Sequence, residues 1–219
     1  MEGEMMKGAI FDMDGLLLDT ERIYQDGWRT LASEFVEEPN PAVPAACSGS
    51  AGDEIIQLLE SYYPKVDAKR YLESVVEYYT RHVTEDLVMK PGVLELLEYF
   101  KSINFKMAVA SSTFHSQIIK NLKTAGILSY FDIVISGLDV SNNKPAPDIF
   151  LEAARKLELA PEECYVFEDS VNGVKAGLCA GCKTIMIPDM QQPLEVFYKS
   201  CTGIYSSLTE ALKALTKKR

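Results

Sequence analysis

Apolar residues in this chain fall into two patterns. One consists of short runs that stop abruptly at acidic, glycine or hydroxyl residues: Lys7 to Phe11, Lys106 to Ala110, Asp132 to Ile135, Cys164 to Phe167 and Thr184 to Ile187. Their length and flanks predict buried strands. The second pattern has helical spacing and lies between the later runs. Pro91 to Ser102 aligns Leu94, Leu97 and Phe100. Ser116 to Ala125 aligns Ile118, Ile119 and Leu122 ahead of a capping Gly126. Asp148 to Leu157 and Val171 to Ala180 follow the same logic, and Ser207-Leu208-Thr209-Glu210 has the form of a capping box opening a last helix. Strands alternating with helices predict an α/β fold with a parallel sheet covered on both faces.

Residues 20–86 break the alternation. Three apolar stripes follow one another without a strand: Tyr24, Trp28, Leu31 and Phe35; then Ile55, Ile56, Leu59 and Tyr62; then Tyr71, Leu72, Val75, Val76 and Tyr79. Pro39, Pro41 and Pro44 punctuate the first gap. An all-helical domain inserted after the first strand explains this order. Its tyrosines, at helical spacing, are expected to be core rather than ligand contacts.

Composition narrows the possibilities. The chain has 219 residues, 47% of them hydrophobic, enough for a large core or a core with an inserted domain. A formal net charge of -10 disfavours nucleic acid and anionic membranes as partners. No apolar run is long enough to span a bilayer, and Met1 to Glu4 has no signal-like stretch. Five cysteines in a chain of this size suggest reduced thiols and a cytoplasmic setting. A monomer acting on a small molecule is the expected form.

The chemistry lies at the ends of the predicted strands. Asp12-Met13-Asp14-Gly15 follows the first, Ser111-Ser112-Thr113 the second, Lys144 comes shortly after the third, and Glu168-Asp169-Ser170 follows the fourth. In an open parallel sheet those ends share one edge, where ligand sites form. Asp12, Asp14 and Asp169 would make a hard oxygen site suited to Mg²⁺. Such a cation and Lys144 would offset the repulsion between an attacking carboxylate and a phosphate. Asp12 could then form an aspartyl-phosphate, with Asp14 protonating the leaving oxygen and later activating water. Ser111, Ser112 and nearby backbone N–H groups could bind phosphate oxygens. Each feature also has a plainer explanation: Asp-x-Asp-Gly as a turn, Ser111 as a helix N-cap, Lys144 as a solvated lysine.

Taken in order, these segments resemble the four motifs of the haloacid dehalogenase-like superfamily. Phe11-Asp12-Met13-Asp14-Gly15-Leu16-Leu17-Leu18-Asp19-Thr20 resembles the first and Ala110-Ser111-Ser112 the second. Lys144-Pro145-Ala146-Pro147-Asp148 resembles the third, and Phe167-Glu168-Asp169-Ser170 the fourth. The resemblance spans nearly the whole chain and is greatest to the phosphatase and β-phosphoglucomutase-like branch. It implies a Rossmann-like core, residues 1–15 and 90–219, and a helical cap, residues 16–89. It also implies Mg²⁺ as cofactor, with Asp12 and Asp169 as side-chain ligands and Asp14 contributing its carbonyl. Glu168 is expected at the metal, directly or from behind it.

Departures from the pattern separate the activities. Asp14 argues against dehalogenation, since dehalogenases of the superfamily lack that second aspartate. Tyr24 falls where the mutases have a histidine, and Gly52 stands near the position of an arginine that grips a second phosphate. A mutase must hold a bisphosphate by both ends, so the expectation is a phosphatase acting on a small phosphomonoester, with a sugar-phosphate mutase as the alternative. A non-catalytic phosphate-binding protein would be expected to have degenerate motifs, and these are intact. Cys179-Ala180-Gly181-Cys182 has redox spacing but sits at a helix end, so two buried structural cysteines are expected. Of the two histidines, His82 and His115, the second lies near the second motif and is expected on a helix surface, with a substrate contact as the alternative. The junctions at Gly15–Thr20 and Asp86–Gly92 are natural hinges, and ligand is predicted to close the cap over Asp12. Solution scattering with and without a tight-binding phosphate analogue should therefore differ, and identical curves would count against closure.

Overall fold

The computed structural model describes residues 6–48, 50 and 52–217. The acidic Met1–Glu4 segment, Met5, Gly49, Ala51, Lys218 and Arg219 lie outside the described residues. The chain divides into two compact units, one formed by residues up to Leu18 and from Val88 onward, the other by Asp19–Leu87.

The second unit is helical: α1 (Thr20–Phe35), α2 (Val43–Cys47), α3 (Asp53–Tyr62) and α4 (Ala68–Asp86). Asp67 caps α4, its carboxylate accepting the Arg70 N–H at 3.0 Å. Trp28, Leu59, Tyr71 and Val75 are buried together. Tyr71 packs edge-on to Trp28 and flat on Phe35, and its hydroxyl donates to the Trp28 carbonyl at 2.7 Å. Tyr24 stacks on Tyr79 at 4.2 Å. The aromatic stripes are therefore largely core, as their spacing predicts. Tyr62 and Val76 depart from this and are exposed. Gly52 precedes α3 as its cap residue. The short α2 carries too few apolar positions to register as a period.

The first unit is built on one sheet of six parallel strands in the order β3-β2-β1-β4-β5-β6. These are β1 (Gly8–Phe11), β2 (Lys106–Ser111), β3 (Ile133–Ser136), β4 (Cys164–Glu168), β5 (Lys183–Met186) and β6 (Gly203–Ile204). The helices are α5 (Val93–Ser102), α6 (His115–Thr124), α7 (Asp148–Lys156), α8 (Val171–Cys179), α9 (Phe197–Ser200) and α10 (Leu208–Lys217). This is the α/β, Rossmann-like arrangement. Among these strands and α-helices of the described residues, β6 and α9, of two and four residues, escape the sequence pattern. Ser207 caps α10 as expected, accepting the Glu210 N–H at 3.3 Å.

Both sheet faces are buried, which is why the strands read as continuous apolar runs. On one face Ile10, Ala108, Ala110 and Val166 pack under Phe150, Ala153 and Ala154 of α7. On the other, Phe11 of β1 stacks on its register partner Phe167 of β4 at 5.0 Å, and Phe100 of α5 meets both rings edge-on. The chain runs outward from β1 to β3 in one direction and from β4 to β6 in the other. The carboxyl ends of β1, β2 and β4 therefore meet at the switch point. Leu16, Leu17 and Leu18 are fully buried, and Leu18 bridges to both Asp14 and Met89, so the first unit reaches Leu18 instead of stopping at Gly15.

The end of β4 sets a tight steric condition. Ser170 opens α8, accepting the Gly173 N–H at 3.0 Å, and this places Gly173 flat against the Glu168 carboxylate. A methyl group there would overlap that carboxylate. Gly173→Ala is expected to displace Glu168 and to destabilise the protein by about 2–3 kcal/mol, read as a lowered melting temperature.

Candidate active site

The site starts at Asp12, the first residue past β1. Its N–H still donates to the Phe167 carbonyl at 3.0 Å, so the chain stays extended and the side chain projects from the strand end. Asp12 Oδ1 accepts from the Lys144 ammonium at 2.5 Å. The same ammonium donates to Glu168 Oε1 at 2.7 Å and to the Ala110 carbonyl at 3.1 Å, and lies 5.1 Å from the centre of the Phe150 ring. Lys144 thus joins the ends of β1, β2 and β4 with its three N–H donors. All three side chains are buried, with Glu168 only 1% exposed.

The other carboxylates have distinct settings. Glu168 Oε2 accepts from the Asp169 N–H, the Ser170 N–H and the Ser170 hydroxyl at 2.9–3.0 Å. With Lys144 on its other oxygen, Glu168 shapes the β4–α8 loop from behind. Asp14 Oδ2 accepts from Ser111 Oγ at 2.8 Å and from Thr113 Oγ1 at 2.9 Å. Asp169 is buried, and its Oδ2 faces the Gly15 turn, where φ is +81°. A side chain begun at Gly15 would meet that oxygen at 2.5 Å, so glycine is required there for both its backbone conformation and its lack of bulk.

Sequence reasoning placed Asp12, Asp14, Ser111, Lys144, Glu168 and Asp169 at one sheet edge, and the structure brings them together there. One plainer alternative is excluded and one expectation is corrected. Ser111 is the last residue of β2 and not a helix cap: α6 begins four residues later, and Ser111 Oγ instead accepts the Thr113 N–H at 3.1 Å while donating to Asp14. Cys179 is exposed, and only Cys182 of that pair is buried, its thiol pushed by burial up to about 12. Ser112 is exposed on the loop, with its Cα packed against Gly137. His115 is an exposed first residue of α6, whereas His82, in the helical unit, stacks on Tyr78. The sequence reading did not single out the second hydroxyl on Asp14, from Thr113. It also passed over an ion pair between Lys90 and Asp189 at 2.6 Å. Asp189 was findable, because it lies just past β5, where the strand-end rule already points.

The charges in this cluster do not balance. Burial pushes the Asp12 carboxyl well above the usual carboxylate range, and Glu168 and Asp14 push it further, while Lys144 opposes them. Burial works to lower the Lys144 ammonium, but Asp12 and Glu168 outweigh it and raise it. Among the described residues no three acidic, histidine or cysteine side chains converge as a complete metal cage.

Comparison with known proteins identifies the family. Residues 9–187 match the family described as haloacid dehalogenase-like hydrolase. The chain is 35% identical over 181 residues to the phosphorylated carbohydrates phosphatase of Thermotoga maritima, covering 82% of this chain and 84% of that one. It is 30% identical over 185 residues to the fructose-1-phosphate phosphatase of Escherichia coli, covering 83% and 96%. A Thermotoga maritima structure described as a candidate beta-phosphoglucomutase superposes with a TM-score of 0.78 at 30% identity, covering 97% and 99%. The chain belongs to the haloacid dehalogenase-like hydrolases, in their phosphatase and β-phosphoglucomutase-like branch. Within that family it is a phosphoric monoester hydrolase.

The raised Asp12 carboxyl makes a prediction about stability. The folded state holds the Asp12 proton more tightly than the unfolded chain, so the contribution is full below the ordinary value of 3.8 and is lost as pH rises through the folded value. In chelator, stability should fall across that window. Asp12→Asn should flatten this dependence, as checked by thermal melts across pH.

Proposed function

We propose that the protein hydrolyses the phosphomonoester of a small phosphorylated sugar, with Asp12 as nucleophile and a divalent cation, Mg²⁺, as cofactor. The observation that carries this reading is the pairing of two carboxylates two residues apart with different hydrogen-bond partners. Asp12 is held by a buried ammonium, and Asp14 is held by two hydroxyls. One is positioned to attack and the other to exchange a proton.

The residues present fit a hydrated Mg²⁺. The carboxylates of Asp12 and Asp169 and the main-chain carbonyl of Asp14 would hold it, with Glu168 organising the loop behind. A small, all-oxygen donor set of this kind suits a cation that keeps several waters and is bound by few carboxylates. When bound, the cation supplies positive charge to phosphate oxygens that three or four neighbouring carboxylates would otherwise repel.

The chain's own residues account for the bond changes. An Asp12 carboxylate oxygen forms a bond to phosphorus as the bond from phosphorus to the ester oxygen breaks. Asp14 gives its proton to that departing oxygen. Water then attacks the phosphorus of the aspartyl-phosphate and loses a proton to Asp14. The bond to Asp12 breaks, releasing phosphate and restoring the carboxylate. Lys144 keeps Asp12 in line and offsets charge on the transferring group. Ser111 and the backbone N–H groups of its loop bind phosphate oxygens, and Ser112 lies on the same loop. The sugar phosphate class rests on the two relatives named for phosphorylated carbohydrates and fructose 1-phosphate.

A panel of sugar phosphates, nucleotides and other phosphate esters, assayed for released phosphate with Mg²⁺, should give turnover on sugar phosphates. Chelator should abolish it. Asp12→Asn should remove activity by several orders of magnitude. Asp14→Asn should lower kcat by about 10²–10⁴-fold. Full activity in chelator or in Asp12→Asn would overturn the mechanism, and an isomerised sugar phosphate with little free phosphate would replace hydrolysis with a mutase reaction.

A further inference from the structure

One buried carboxylate oxygen is unused by the mechanism above. Asp189 follows β5, past Ile187 and Pro188. Its Oδ1 accepts from the Lys90 ammonium at 2.6 Å, with both side chains mostly covered. Lys90 lies where the chain returns to the first unit, its N–H donating to the Leu17 carbonyl at 3.0 Å. Asp189 Oδ2 is fully buried, and among the described residues it is the one buried side-chain polar atom with no hydrogen-bond partner. An ionised oxygen in that position loses its hydration without replacement, a state that native structures avoid unless a water or an ion supplies the missing partner.

Its direction says which partner. A side chain begun at Gly15 would meet Asp169 Oδ2 at 2.5 Å and Asp189 Oδ2 at 3.3 Å. Two carboxylate oxygens, from beyond the ends of β4 and β5, therefore lie close together against the same side of Gly15. Two carboxylates converging there, one of them with an oxygen that has no donor, call for positive charge or oriented water beside them.

Resting on the cation site read above, we propose that Asp189 is a positioning residue for the divalent cation: anchored by Lys90 through Oδ1, it uses Oδ2 to accept hydrogen bonds from the cation's hydration shell beside Asp169. Lys90 fixes the orientation of the carboxylate and restrains its charge. The plain competing role is a strap, in which the pair only ties the segment before Pro91 to the end of β5.

Calorimetric titration of the full chain with Mg²⁺, without substrate, separates the two. Asp189→Asn should weaken Mg²⁺ binding about tenfold. That substitution also leaves Lys90 uncompensated near the cation, so the decisive variant is Lys90→Met with Asp189→Asn, which removes both charges and keeps the packing volume. It should remain about tenfold weaker than the parent. Its melting temperature in chelator should not fall, because a buried unpaired oxygen has been removed. Parent-like Mg²⁺ affinity in this double variant would overturn the inference, and a large loss of stability with unchanged affinity would assign the pair to the strap. Asp169→Asn is the control. If it abolishes Mg²⁺ binding while the double variant binds normally, only the role of Asp189 fails. Parent-like binding in Asp169→Asn would overturn the cation site itself.

Discussion

The buried Lys144 ammonium is the interaction on which the rest of the site depends. Its three donors go to Asp12, Glu168 and the Ala110 carbonyl, and so to three strands. Such a group is expensive to bury and more expensive to half-satisfy: removing one partner of a buried pair typically costs about 3–5 kcal/mol, because the other charge stays behind unpaired. With three partners in place, the ammonium can neither leave nor rotate without stranding a carboxylate. Asp12, the proposed nucleophile, is therefore fixed by electrostatics at the point where the sheet order reverses. Phe150, the ring beside the ammonium, belongs to the α7 helix that also covers Ile10 and Ala110, so the apolar core and the charged centre share a residue.

From that centre the geometry propagates along the backbone. Phe11 and Phe167 are register partners that stack, and each is followed directly by a functional acid, Asp12 and Glu168. Strand pairing thus aligns the two acids, and Lys144 bridges the gap between them. Past Glu168 the chain turns by using the carboxylate itself as acceptor for the next two N–H groups, after which Ser170 caps α8. Gly173 then lies against Glu168 where no other residue fits. A single side chain thereby links sheet, loop and helix.

Much of this was legible in the sequence, for specific physical reasons. Strands buried on both faces read as apolar runs, so their ends, and the polar residues at them, could be located to within a residue or so. Gly15 and the Asp12–Asp14 spacing marked the site because few other contexts need an acid, an acid and a glycine at a strand end. Short pieces such as β6 and α2 were not legible, since neither spans enough residues to show a period. Pattern alone does not rule out the plainer alternative for Ser111, a helix cap, because a serine after a strand looks the same whether its hydroxyl meets a helix N–H or a carboxylate across the loop. Thr113 and Lys90 depend on partners 99 residues away, a relation that local pattern does not carry. Tyr71 and Tyr79 were legible as core from spacing, whereas exposed Tyr62 shows that a stripe does not say where burial ends.

The acidity of the chain makes the electrostatics of the centre more demanding. A protein of net charge -10 repels a phosphate at long range, and the centre adds Asp12, Asp14, Glu168 and Asp169 against one buried lysine. Left so, burial, together with Glu168 and Asp14, raises the Asp12 carboxyl against the pull of Lys144, the wrong direction for the proposed nucleophile. The same surplus of carboxylate is what a divalent cation needs, and a cation would draw Asp12 back toward its ionised form. Attraction for the cation, ionisation of the nucleophile and acceptance of a phosphate are therefore one coupled property of this cluster. The excess acid that looks hostile to phosphate is the means by which the site would come to hold it.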